Sequence, residues 1–188
     1  MPVDSPQIPP DLVELVIEEL GDSSKDLSTC CLVCHEWLSL ARNHITISPR
    51  DIPGFLDTLR SPTTTLFSTV RHLQIIVWTS EPERQTHLPL LQMLPQFTRL
   101  RSLLLWCSFP SGIPAIPWLT ELDLSGAFGS YASFASFMSD LPALRSLVLD
   151  RVRWDDSPKI PLVFPSLELE TLSLDFGKEP WIENITGL

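Results

Sequence analysis

Glycine is scarce in this 188-residue chain, with seven residues against eighteen prolines. That ratio excludes glycine-rich hairpins and long unbroken helices and points to many short elements bounded by proline. Basic charge is also short. Thirteen Lys and Arg against 23 Asp and Glu leave a net charge of −10, which argues against non-specific binding to nucleic acid or to an anionic membrane. A basic protein surface is the more natural partner. No run approaches the ~18 apolar residues that would span a bilayer. The opening stretch, MPVDSPQIPPDLVELVIEELGD, has no basic n-region, and Asp11, Glu14, Glu18 and Glu19 interrupt its apolar residues, so it does not read as a signal peptide. The expected setting is a reducing one, cytoplasmic and/or nuclear, with the cysteines as thiols and the sequon Asn184-Ile185-Thr186 unused.

Catalytic constellations are missing as well. The serine-rich loops lack a neighbouring histidine and a glycine elbow, no glycine loop is suited to phosphate, and the acids are scattered. No enzyme and no cofactor are expected. One stretch asks for a closer reading: TCCLVCHEW, residues 29–37, contains Cys31-Leu32-Val33-Cys34-His35, the C-x-x-C-H spacing of haem attachment. Haem attachment needs export and an axial partner. Zinc needs four ligands, ordinarily from two separated pairs, and the rest of the chain offers only Cys107 and isolated His44, His72 and His87. In a helix Cys31 and Cys34 lie on one face a turn apart, which suits small buried apolar residues. Packing is therefore the expected role, with no metal.

What is present divides into two textures, and 44% hydrophobic residues is ample for a core. From Ile8 to about Ile47 the pattern is helical. Leu12, Leu15, Val16 and Leu20 fall at i, i+3, i+4 and i+8 after Pro9-Pro10, which suit a first helical turn, and Gly21 ends the helix. A second helix is expected from roughly Asp26, with Leu27, Cys30, Cys31, Cys34, Trp37, Leu38 and Ala41 on one broad stripe.

From Val70 onward the chain repeats. The pattern L-x-x-L-x-L, with any large aliphatic allowed, recurs at Val70/Leu73/Ile75, Leu100/Leu103/Leu105, Leu119/Leu122/Leu124, Leu144/Leu147/Leu149 and Leu169/Leu172/Leu174, at spacings of 30, 19, 25 and 25 residues. Those spacings straddle the leucine-rich-repeat period. Each copy is expected to place a short strand whose alternate leucines point into a core, with the strands paired in parallel and return segments closing the other side. Tyr131, Phe134, Phe137, Met138 and Leu141 have helical spacing, Leu88, Leu91 and Leu94 with Met93 point to another short helix, and 106–118 is too rich in proline for one. The usual asparagine three places after the last leucine is replaced by Trp78, Ser108, Ala127, Val152 and Gly177, so the repeats are of an irregular kind.

Ile8-Pro9-Pro10-Asp11-Leu12, then Ile17 and Leu20, then Leu27 through Val33-Cys34-His35-Glu36-Trp37, resemble an F-box, whose pattern is L-P-x-E-L, an apolar helix, a leucine and V-C-x-x-W. Ile8 for Leu and Asp11 for Glu are conservative departures. With the repeats behind it, the layout is similar to the large fungal sets of F-box proteins with leucine-rich repeats. The resemblance implies an α/β chain: a short F-box-like helical bundle over 1–47, a connecting or capping segment over 48–69, and an irregular leucine-rich-repeat solenoid of about five copies with a parallel β inner face over 70–188. It also implies a substrate-receptor subunit of an SCF-type cullin–RING ubiquitin ligase. Ile8, Pro9, Leu12, Val16, Val33 and Trp37 would then dock on the Skp-type adaptor, while the repeats hold a protein substrate. A second class stays open, a repeat scaffold, whole, truncated or degenerate, whose helical start only caps the solenoid and which has no ligase attached. Apolar surplus in the helices favours the first, because a remaining exposed patch implies a partner.

The residues flanking the inward leucines of each strand face the open inner surface of the solenoid. Its first two rungs are apolar to neutral and its last three acidic, with Asp150 and Asp175 at the same position on successive rungs, about 5 Å apart in a parallel sheet. A basic substrate segment is expected across Glu121, Asp123, Asp150 and Asp175, with an apolar side chain settling on Leu104 and Trp106.

Overall fold

The computed structural model describes residues 8–20, 26, 29, 37, 41, 43–77, 87–109, 113–154 and 168–175. The chain divides into two compact units, 1–45 and 46–188.

In the first unit, helix α1 spans Pro10–Glu19, with a proline at its first position where no N–H is missed. Leu12 and Val13 both donate to the Pro9 carbonyl, and Leu20 donates to Val16 at the other end. The face that packs carries Val13 and Ile17, which join Ala41 in a small core with Leu20 and Trp37 lying partly buried against it. Leu12, Leu15 and Val16 belong to the opposite face and remain exposed. Of the Leu12/Leu15/Val16/Leu20 stripe that the spacing brought out, only Leu20 packs against this core. The helix is apolar on two faces, and buries one. Cys31, Val33, Cys34 and His35 lie outside the described residues.

One six-stranded sheet runs from residue 44 to residue 175. Strands β1 (His44–Ile47), β2 (His72–Ile76), β3 (Ser102–Trp106), β4 (Glu121–Phe128), β5 (Ser146–Trp154) and β6 (Thr171–Asp175) stand side by side in chain order, and each pair from β2 to β6 is parallel. Alternation dictates what each face carries. Leu73, Leu103, Leu122, Leu147 and Leu172 stand in one register row, and Ile75, Leu105, Leu124, Leu149 and Leu174 in the next. The first four members of each row are at most 2% exposed, whereas Leu172 and Leu174 on the last strand are only half covered. Each fully buried leucine contributes roughly 1.5–3 kcal/mol of transfer free energy.

The repeat extends to the backbone. The carbonyl before each of β2, β3, β4 and β5 accepts two N–H groups from the start of the following copy: Arg71 from Arg101 and Ser102, Arg101 from Thr120 and Glu121, Thr120 from Arg145 and Ser146, Arg145 from Glu170 and Thr171. A tight turn precedes three of the strands, in which Leu100, Leu119 and Leu144 donate to Phe97, Ile116 and Leu141. Pro117 and Pro142 stand within that turn and Pro95 two residues ahead of it, where the ladder needs no donor.

The return segments hold helices α2 (Ile52–Arg60), α3 (Leu66–Thr69), α4 (Leu88–Met93) and α5 (Tyr131–Ser139). The segment 48–69 is therefore more than a connector: Ile52, Leu56 and Leu59 are spaced i, i+4 and i+7 and are all buried, with Pro53 in the first turn. In α4 the buried residues are Leu90 and Leu91, followed by Leu94 in a 3₁₀ turn over Leu94–Gln96, so the packed stripe begins two residues after Leu88. Helix α5 starts at Ser130, whose hydroxyl accepts from the Ser133 N–H at 3.1 Å. It buries Phe134, Phe137 and Met138. Phe128 lies 4.6 Å from Phe109 and 5.2 Å from Phe134 by ring centroid, and Trp154 stacks 5.8 Å from Phe134. That aromatic cluster closes the core where β4 and β5 run on past their neighbours.

Candidate functional site: the outer face of the sheet

The side chains that alternate with the ladder leucines form three register rows. The first is His72, Ser102, Glu121, Ser146 and Thr171. The second is Gln74, Leu104, Asp123, Val148 and Ser173, and the third Ile76, Trp106, Ser125, Asp150 and Asp175. Leu104 and Trp106 are half-buried neighbours on β3, with Ile76 beside Trp106 on β2. The carboxylates occupy the next three strands: Glu121 exposed at the start of β4, Asp123 half-buried two residues on, and Asp150 directly opposite Asp175. An apolar strip thus borders an acidic one.

Two aspartates at ~4.8 Å strand spacing repel unless water or a cation intervenes. The cation comes from the chain itself. Opposite Gly126 strand β5 carries an extra residue, so that Ser125 pairs with Asp150 but Ala127 pairs with Arg153. The bulge is absorbed by two unusual backbones, Arg151 at φ +50° and Gly126 at φ +143°. It returns the Arg151 side chain onto Asp150 in a bidentate pair, Nε to Oδ1 at 3.0 Å and Nη2 to Oδ2 at 2.9 Å. Asp150 raises the guanidinium's affinity for its proton by hydrogen bonding and by charge, and Asp175 adds to it through charge. Arg151 is 57% exposed and Asp150 23%, so solvent screens the guanidinium and the pair adds little to stability.

Asp123 is the more strained group. Burial pushes its carboxyl above the ordinary aspartate range, and the charge of Asp150 pushes it further, while the polar side chain of Trp106 pulls it back in part. One of its oxygens, Oδ1, is buried without a hydrogen-bond partner. A donor arriving from a ligand would satisfy that oxygen and meet the negative charge together.

Arg151 was not legible from strict alternation, which sends residue 151 to the core side. A signal was present in the sequence. In Ser146–Trp154 the apolar phase runs Leu147, Leu149 and then Val152, Trp154, a slip of one residue that marks a bulge.

The residues read as adaptor-binding lie in the first unit. Ile8 (54% exposed), Leu12 (52%) and Val16 (42%) are open to solvent together with Leu15 (56%). Pro9 is exposed, Trp37 is half-buried against Val13, Ile17 and Ala41, and Val33 lies outside the described residues. Among the described residues no group of three or more His, Cys, Asp or Glu could hold a metal ion, and no helix is long and apolar enough to cross a membrane.

Comparison with family models, with curated proteins and with solved structures finds no match to this chain.

Proposed function

We propose that this chain is an F-box protein with leucine-rich repeats, a non-catalytic substrate-receptor subunit of an SCF-type cullin–RING ubiquitin ligase acting in the cytoplasm or nucleus. Its N-terminal helices dock on the Skp-type adaptor through Ile8, Pro9, Leu12, Val16, Val33 and Trp37. Its repeats form an irregular solenoid that holds a protein substrate carrying a basic segment, with Leu104 and Trp106 taking an apolar anchor and Glu121, Asp123, Asp150 and Asp175 taking the charge.

The observation that carries the reading is the second apolar face of α1. A ten-residue helix that buries Val13 and Ile17 yet leaves Leu12, Leu15 and Val16 more than 40% exposed, with Ile8 beside its start, has more apolar surface than its own unit covers. These residues fall in the stretch that resembles the F-box pattern. For the repeats, support comes from parallel strands in chain order, two unbroken aliphatic rows and the recurring two-donor backbone contact. The test is co-expression with a Skp-type adaptor followed by size-exclusion chromatography. A single peak holding both chains is expected; separate peaks at micromolar concentration would favour the scaffold with no ligase attached.

A further inference from the structure

The acidic strip carries its own cation, and that cation stands where a ligand's would. Arg151 holds Asp150 through a two-bond fork, and the charge of Asp175 on the neighbouring strand acts on the same guanidinium. A fork of this kind is how an arginine from a binding partner would meet a carboxylate. The occupant is also able to leave. Arg151 is exposed and Asp150 half-buried, so the guanidinium can swing into solvent while the aspartate stays on the sheet.

The backbone points the same way. Arg151 stands at φ +50°, a conformation that glycine or asparagine holds more cheaply than a long side chain does. Strict alternation would turn residue 151 towards the core, and the extra residue opposite Gly126 keeps it beside Asp150 instead. What an arginine adds at this costly position is a guanidinium on the strip. Asp123 is treated differently. It lies between Leu104 and Val148 in its register row, Arg151 makes no hydrogen bond to it, and its Oδ1 has no hydrogen-bond partner. The strip is therefore occupied at the Asp150 end and not at Asp123.

We propose that Arg151 is a built-in competitor for the basic segment of the protein substrate, holding the Asp150 and Asp175 end of the strip until that segment displaces it. The inference rests on the reading of this face as the substrate surface and is independent of adaptor docking. A segment with a single basic residue has only Glu121 and Asp123 open to it. A segment with a basic run can engage all four carboxylates by driving Arg151 out, so the arginine sets a threshold of charge below which a ligand stays weak.

The experiment is fluorescence anisotropy of the full chain, without adaptor, at about 0.15 M salt, with a labelled Gly/Ser peptide carrying a leucine and a run of lysines. Arg151→Gly removes the side chain and suits the positive φ, and Arg151→Lys keeps the charge but loses the fork. Arg145→Gln is the matched control. It frees Glu170 from a 2.8 Å pair with the same change in net charge, at the other end of β5, roughly 20 Å away and beyond the ~8 Å screening length. Arg151→Gly is expected to bind the peptide about two- to fivefold tighter than the parent, Arg151→Lys to fall between them, and Arg145→Gln to match the parent, with circular dichroism unchanged throughout. Equal or weaker binding by both Arg151 variants would overturn the competitor role and leave the strip as the substrate surface. An equal gain in Arg145→Gln would reduce the effect to net charge and overturn the role as well. No binding by the parent or any variant up to about 1 mM would remove the substrate surface itself, and the role with it.

Discussion

Gly126→Ala is the substitution for which the structure gives the clearest magnitude. Gly126 has φ +143°, a region open in practice to glycine alone, and an added Cβ would stand 1.8 Å from the carbonyl oxygen of Cys107 and 2.8 Å from its carbon. Neither atom is the end of a flexible side chain. Relief requires moving the backbone just after β3, which donates from Cys107 N to Ser125 O at 3.1 Å and from Phe109 N to Ala127 O at 2.7 Å. Backbone strain of about 1–3 kcal/mol and one or two weakened hydrogen bonds at about 1 kcal/mol each sum to roughly 2–5 kcal/mol. That is a large share of the 5–15 kcal/mol typical of a domain. Gly54→Ala supplies the control, because Gly54 lies in α2 with nothing within 4 Å of the added carbon. It should stabilise by about 0.5–1 kcal/mol. Urea unfolding followed by circular dichroism reads both. A Gly126→Ala midpoint within about 1 kcal/mol of the parent would refute the bulge geometry at Gly126 and Arg151.

Other consequences follow from the same physics. The Asp123 carboxyl has its folded-state pKa raised, so its proton stabilises the fold below the ordinary aspartate range and that stabilisation is lost as pH rises through the raised value. Asp123→Asn should therefore raise the melting temperature at pH 7 and lose that advantage as the pH is lowered towards 4; a gain independent of pH would contradict the burial argument. Cys31→Ala with Cys34→Ala should cost only about 1–3 kcal/mol of packing, and the purified protein should show no Soret band and no stoichiometric zinc by elemental analysis. Reversal of Asp150 and Asp175 to lysine should weaken a basic substrate mainly at low salt, and unchanged affinity and salt dependence would make the acidic strip a solvated face only.

The aliphatic rows could be read from the sequence because period-two alternation and a repeated L-x-L specify both the strand and its register. Leu103, Leu122 and Leu147 needed no other information. Helix α2 went unread because Ile52, Leu56 and Leu59 sit among Gly54, Pro53 and polar residues, a short signal beside the louder repeat. On α1, spacing alone could not say which of two apolar faces is packed, since Leu12/Leu15/Val16 and Val13/Ile17 both obey the helical period; tertiary contact with Ala41 decides it. The acidic strip was visible as residue types at equivalent positions. Arg151 was hidden from strict alternation by a local backbone conformation, and only the one-residue slip of the apolar phase after Leu149 marks it.

The central claim concerns α1, and Leu12→Asp tests it most directly. Leu12 is 52% exposed and lies in the first turn of the helix, where a carboxylate is favoured by the helix dipole, so the variant should fold as well as the parent. At a buried interface the same unpaired carboxylate costs on the order of 2–5 kcal/mol. Titration of a Skp-type adaptor onto both proteins should therefore show binding by the parent and a Kd weakened at least about thirtyfold in Leu12→Asp, with identical circular dichroism. Adaptor binding undiminished by the substitution, or none by the parent, would contradict the assignment of this face as the docking surface.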